Sequence, residues 1–87
     1  MADGSTLSTR DQIGHIVGAL LAKRRLDAPA EPSADLRRSG LTSLDMVNLM
    51  LAVEDAFDIE LPEAEMTPEN FRSLAAIESL VRRLAGR

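Results

Sequence analysis

The chain has 87 residues, enough for one domain near the lower limit of what buries an adequate core unaided. It has no cysteine, which excludes disulfides and thiolate metal sites; a formal charge of −4 and only two aromatic residues argue against nucleic acid as a partner. Apolar residues make up 45%, so aliphatic side chains and four methionines must fill the core, which favours helices over a sheet.

No segment approaches the roughly 20 apolar residues of a membrane span, and no signal-peptide pattern opens the chain. A soluble cytoplasmic protein without membrane association is expected. Met1 to Leu7, small and polar, is expected to be a flexible start ahead of a domain over residues 8–87.

Ser8-Thr9-Arg10-Asp11 is a helix-start signal, a hydroxyl residue followed three places on by an acid. Ile13, Ile16, Val17, Leu20 and Leu21 follow at helical spacing and predict a first helix to about Leu26, with Lys23, Arg24 and Arg25 suited to the dipole of its last turn. His15 falls opposite the apolar stripe, as a surface residue would. From Asp27 to Thr42 the chain holds Pro29, Pro32 and Gly40 without a sustained period, a long loop for so small a domain. Asp35-Leu36 is placed to anchor its middle, and Arg37 and Arg38 read as solvated cations able to steer an anionic partner.

The second helix is predicted to start at Thr42 or Ser43, with Thr42 as its cap and Asp45 in its first turn. Met46, Leu49, Met50, Val53 and Phe57 form one apolar stripe, expected in the core. Leu44, Val47 and Leu51 form another, roughly 120° around the helix at about 100° per residue. This second stripe is either core as well, as in a central bundle helix, or an exposed patch beside Ser43 bordered by Asp45, Asn48, Glu54 and Asp55. An apolar centre rimmed by charge is how a transient interface is built. Ile59-Glu60-Leu61-Pro62 reads as an extended connection. Thr67-Pro68-Glu69 begins a short helical turn to Phe71, and Ser73 caps a final helix through Leu74, Ile77, Val81 and Leu84 to Gly86.

Ser43 is the residue whose position carries chemistry. A glycine turn precedes it, a leucine follows it, and a negative group attached there would lie against the positive end of a helix. Its only sequence neighbour that titrates is Asp45, and serine beside aspartate without histidine or lysine is a poor nucleophile constellation. No carboxylate pattern resembles a metal loop, so neither catalytic nor metal-binding residues are expected.

From Gly40 to Pro62 the sequence resembles acyl carrier proteins almost position by position. Their Gly-x-Asp-Ser-Leu stands here as Gly40-Leu41-Thr42-Ser43-Leu44. Their acidic helix end before Phe-Asp-Ile-x-Ile-Pro stands as Glu54-Asp55-Ala56-Phe57-Asp58-Ile59-Glu60-Leu61-Pro62. The resemblance implies an all-α, four-helix bundle with three main helices, one short helix and a long first loop. It further implies a 4'-phosphopantetheine on Ser43, attached by a phosphopantetheinyl transferase, with cargo held as a thioester on its thiol.

Thr42, Leu44, Asp45, Val47, Asn48, Leu51, Glu54 and Asp55 would then dock enzymes in turn, with the carrier acting as a monomer. Thr42 replaces the usual aspartate, Asn48 stands where fatty-acid carriers commonly have an acid, and Arg37 and Arg38 add positive charge. These departures put a fatty-acid partner set in doubt. The runs 42–54 and 67–73 look closer to specialised stand-alone carriers. Among these are carriers loaded by ATP-using ligases similar to the catalytic core of class II aminoacyl-tRNA synthetases, which hand an amino acid on to a downstream acceptor enzyme. The alternatives are a specialised carrier loaded by an acyltransferase in fatty-acid, lipid or polyketide synthesis, and an unmodified helical interaction module.

Overall fold

A computed structural model describes residues 8–29 and 31–85; the flexible start expected over Met1 to Leu7 and the helix stop expected at Gly86 lie outside these. Three α-helices carry the fold: α1 over Thr9–Lys23, α2 over Ser43–Phe57 and α3 over Leu74–Ala85. Short 3-10 turns occupy Leu36–Ser39, Glu63–Glu65 and Glu69–Phe71, so the predicted short helix is a single turn of the tighter kind.

Each helix starts where a side-chain oxygen meets an amide left unpaired by the helix. Ser8 accepts from the Asp11 N–H at 3.0 Å, and Ser73 from the Ala76 N–H at 3.1 Å. Helix α1 ends at Lys23, three residues before the expected Leu26. Arg25 takes a left-handed conformation (φ 57°), and the Leu26 N–H donates to the Leu21 carbonyl at 2.8 Å while that of Arg25 reaches Ala22 at 3.0 Å. This paired closure turns the chain so that Leu26 folds back against the core.

The long first loop is tied down at its middle. Leu36 is fully buried, its N–H donates to the Arg72 carbonyl at 2.7 Å, and the Ala75 N–H donates to Pro32 at 2.9 Å. After α2, Asp58 adopts φ 52°, and the half-buried Glu54 carboxylate accepts the Leu61 N–H at 2.7 Å. That bond holds the 59–62 connection against the helix it leaves.

Helix α1 packs against both α2 and α3. Ile13, Val17 and Leu21 meet Leu49 and Val53 of α2 and Ile77, Leu80 and Val81 of α3, with Leu36, Leu41, Leu61 and Phe71 closing the core from the connections. One expectation is corrected. Phe57 lies at the end of α2 and is only partly buried, while Phe71, on the last 3-10 turn, is completely enclosed. The Glu78 carboxylate is also buried, accepting from Arg10 at 3.0 Å and from Arg82 at 2.7 Å, so it fastens the start of α1 to α3.

Candidate functional site

The approach to Ser43 is fixed residue by residue. Gly40 sits at φ 109°, and a Cβ added there would come within 3.0 Å of a Leu26 methyl, so the turn needs glycine for its backbone and for its space. Leu41 then plugs into the core, and Thr42 caps α2. Ser43 follows as the first helical residue, exposed, and its hydroxyl makes no hydrogen bond among the described residues. The Thr42 hydroxyl accepts the Asp45 N–H at 3.2 Å and its carbonyl accepts that of Met46 at 3.0 Å. The amides of Ser43 and Leu44 remain at the head of the helix, where they favour an anion.

Asp45 is placed differently from the expectation. It is buried, not on the rim of the docking patch, because its carboxylate completes the capping box. One carboxylate oxygen accepts the Thr42 N–H at 2.8 Å and the Thr42 hydroxyl at 3.0 Å, and also pairs with the Arg24 guanidinium from the end of α1. Arg24 thereby ties the last turn of α1 to the residues flanking Ser43.

The Thr42 backbone N–H, and after it Arg24, hold the Asp45 carboxyl below the usual carboxylate range. Arg82 and then Arg10 do the same to Glu78. A carboxyl whose pKa is depressed by folding contributes stability above its unfolded pKa, and that contribution is lost as pH falls through the folded value. Thermal stability is therefore expected to hold above about pH 5 and to fall on further acidification. Asp45→Asn and Glu78→Gln should start lower at neutral pH and lose less between about pH 5 and 3, as melts followed by circular dichroism would show. An acid limb as steep as wild type in both variants would contradict this assignment.

The second stripe of α2 is exposed. Leu44 is 69%, Val47 45% and Leu51 53% accessible, and these are the large apolar side chains most open to solvent among the described residues. Thr42, Asn48 and Asp55 are exposed around them, while Glu54 is half-buried and engaged with Leu61. Next to this stripe, with Val47 belonging to both, a groove of about 570 Å³ opens at Ser43, lined by Leu41, Met46, Val47 and Met50 and, across it, by Met66 and Pro68. Arg37 reaches the same groove. Sequence reasoning did not associate Arg24 or Met66 with Ser43, since neither lies within its helix or shares its period, and it took Arg37 only as added charge upstream.

The sequence profile described as "Phosphopantetheine attachment site" matches residues 15–81, a span that contains Ser43 and most of the chain. The chain belongs to the acyl carrier protein family. This carrier protein is 47% identical over 72 residues to Aminoacyl carrier protein 1 of Bradyrhizobium diazoefficiens, covering 83% of this chain and 80% of that one. It is 38% identical over 77 residues to Aminoacyl carrier protein 2 of the same organism, covering 88% and 86%. Its fold matches a chain in the crystal structure of Bradyrhizobium japonicum glycine:carrier protein ligase complexed with cognate carrier protein and an analogue of glycyl adenylate. There the TM-score is 0.76 at 44% identity, over 86% of this chain and 96% of that one. Since 87 residues nearly span it, the matched chain is the carrier. No helix among the described residues of this carrier protein is long and apolar enough to cross a membrane.

The family's prosthetic group is 4'-phosphopantetheine, and the residues at the head of α2 fit it. An exposed hydroxyl, two helix-end amides and an adjoining groove suit an anionic phosphodiester with a partly apolar arm. When bound, the group supplies a terminal thiol; the protein itself holds the Ser43 hydroxyl in place between the buried Leu41 and the Asp45 clamp.

Proposed function

We propose that this carrier protein bears phosphopantetheine on Ser43 and holds a small amino acid there as a thioester. A phosphopantetheinyl transferase installs the arm, a dedicated ATP-using ligase charges it in the cytoplasm, and a downstream acceptor enzyme takes the cargo. The carrier acts as a monomer and supplies no catalysis of its own. The exposed Ser43 hydroxyl, without a hydrogen bond among the described residues and beside Leu44, Val47 and Leu51, is the observation that supports this reading most, together with the likeness to carriers whose names specify aminoacyl cargo. Crystal structures of a similar carrier complexed with glycine:carrier protein ligase support a ligase of that kind as partner.

The docking surface in this reading is Leu44, Val47 and Leu51 with Thr42, Asn48 and Asp55, and Glu54 at its edge. Asp45 acts from beneath as the brace of the helix start. A small ammonium-bearing cargo has no reason to enter an aliphatic interior, where it would lose its hydration. The groove beside Ser43 is the observation that favours the rival cargo, an acyl chain.

Parallel loading reactions decide between the cargoes. Purified holo protein is offered ATP, glycine or alanine, and a glycine:carrier protein ligase in one reaction, and malonyl or long-chain acyl donors with fatty-acid loading enzymes in another. Amino-acid charging in the first and little loading in the second is expected. Efficient malonyl or long-chain loading with no amino-acid charging would move the assignment to an acyl carrier.

A further inference from the structure

The groove at Ser43 has one cation among its described lining residues, Arg37. Arg37 belongs to the 3-10 turn over Leu36–Ser39, where Asp35 caps the turn by accepting the Arg37 N–H at 2.9 Å. Among the described residues the guanidinium itself makes only long contacts to that same carboxylate, 3.3 and 3.5 Å, and its side chain is 55% exposed. A pair of this kind holds an arginine weakly. Its five donors leave it able to take a second anion without releasing the cap.

The other charges near Ser43 are already committed. Asp45 is buried under the helix start, and Arg24 is bound to it. Arg38, the next residue, lines a different groove, with Glu31, Asp35 and Arg72. Arg37 is therefore the cation that shares a concavity with the Ser43 hydroxyl.

We propose that Arg37 binds the phosphodiester of the prosthetic arm, and that the arm attached to Ser43 lies along the groove formed by Met46, Met50 and Met66 instead of extending into solvent. The inference rests on Ser43 being the attachment residue. Two features commit the occupant: the guanidinium complements a phosphodiester's single negative charge, and the methyl and methylene groups of pantetheine match an aliphatic, thioether-rich lining.

The test compares isotope-labelled apo and holo protein, wild type and Arg37→Gln, Arg37→Lys and Arg38→Gln, by amide and phosphorus NMR. Wild type should shift the amides of Met46, Met50 and Met66 on conversion to holo, and raising salt from about 0.05 to about 1 M should shrink these changes at least about twofold. Arg37→Gln should shrink them at least about twofold at low salt and move the phosphorus resonance, while Arg37→Lys keeps most of the change. Arg38→Gln, which removes the same charge from the neighbouring groove, should match wild type. The apo spectra should agree outside the 35–40 turn.

Holo-induced shifts confined to Ser43 and Leu44, an Arg37→Gln that behaves as wild type, or equal losses in Arg37→Gln and Arg38→Gln would each overturn the proposal. Intact mass on the same samples separates this from the carrier reading: a holo mass that fails to form, or that persists in Ser43→Ala, overturns the attachment site and the arm's position together.

Discussion

Leu49→Ala and Phe71→Ala will each cost about 2–5 kcal/mol of stability, and Leu44→Ala will cost less than about 0.5 kcal/mol. Leu49 is 1% exposed on α2 and Phe71 fully enclosed, so truncating either leaves a cavity that fixed neighbours cannot collapse to fill. For a domain of this size each kcal/mol moves the melting temperature by about 4–8 °C, so the core variants should melt at least about 8 °C lower. Leu44 is 69% exposed, and alanine is the better helix former. Its melting temperature should stay within a few degrees of wild type.

The same exposed variants should be the ones that fail as substrates. An apolar side chain at the centre of a docking patch can contribute 2 kcal/mol or more to binding, which corresponds to roughly a 30-fold loss. Leu44→Ala and Leu51→Ala are therefore expected to lower kcat/KM for pantetheinylation or for charging at least about tenfold, chiefly through KM. A Leu44→Ala protein that melts as low as Phe71→Ala would place the second stripe in the core. One that is modified and charged at the wild-type rate would remove it from the docking surface.

What could be read from the sequence is what local chemistry decides. Ser8, Thr42, Thr67 and Ser73 announce their helical turns because a capping hydroxyl and the amide it serves are three residues apart. The place of Ser43 at the head of α2 was legible for the same reason, since it stands between a glycine turn and a capped helix. The two stripes of α2 were legible as faces, but periodicity does not say how deep a face lies, and Phe57 at the helix end escapes burial although it continues the buried row.

Long-range pairings left no mark. Arg24 and Asp45 are 21 residues apart, so Asp45 read as a rim charge of the docking patch; Arg10 and Glu78 are 68 apart, and nothing local marks them as a pair. The stop of α1 was missed because arginine, not glycine, takes the left-handed position at residue 25. The groove could not be read either, since Met66 and Pro68 reach it only once the 59–66 connection has been folded back by Glu54.

Ser43→Ala should abolish modification altogether. The nearest alternative hydroxyls are Thr42, whose oxygen is occupied in the capping box, and Ser39, which sits on the 3-10 turn without a helix start behind it. Alanine is well tolerated in the first turn of a helix and Ser43 makes no side-chain bond among the described residues, so the variant should fold and melt as wild type does. The decisive measurement is intact-mass spectrometry after co-expression with a broad-specificity phosphopantetheinyl transferase, followed by incubation with ATP, glycine and the ligase. Wild type should gain one phosphopantetheine and then one glycyl group that hydroxylamine removes, and Ser43→Ala should gain neither. A phosphopantetheine mass that survives Ser43→Ala, or a wild-type protein that stays unmodified, would contradict the account.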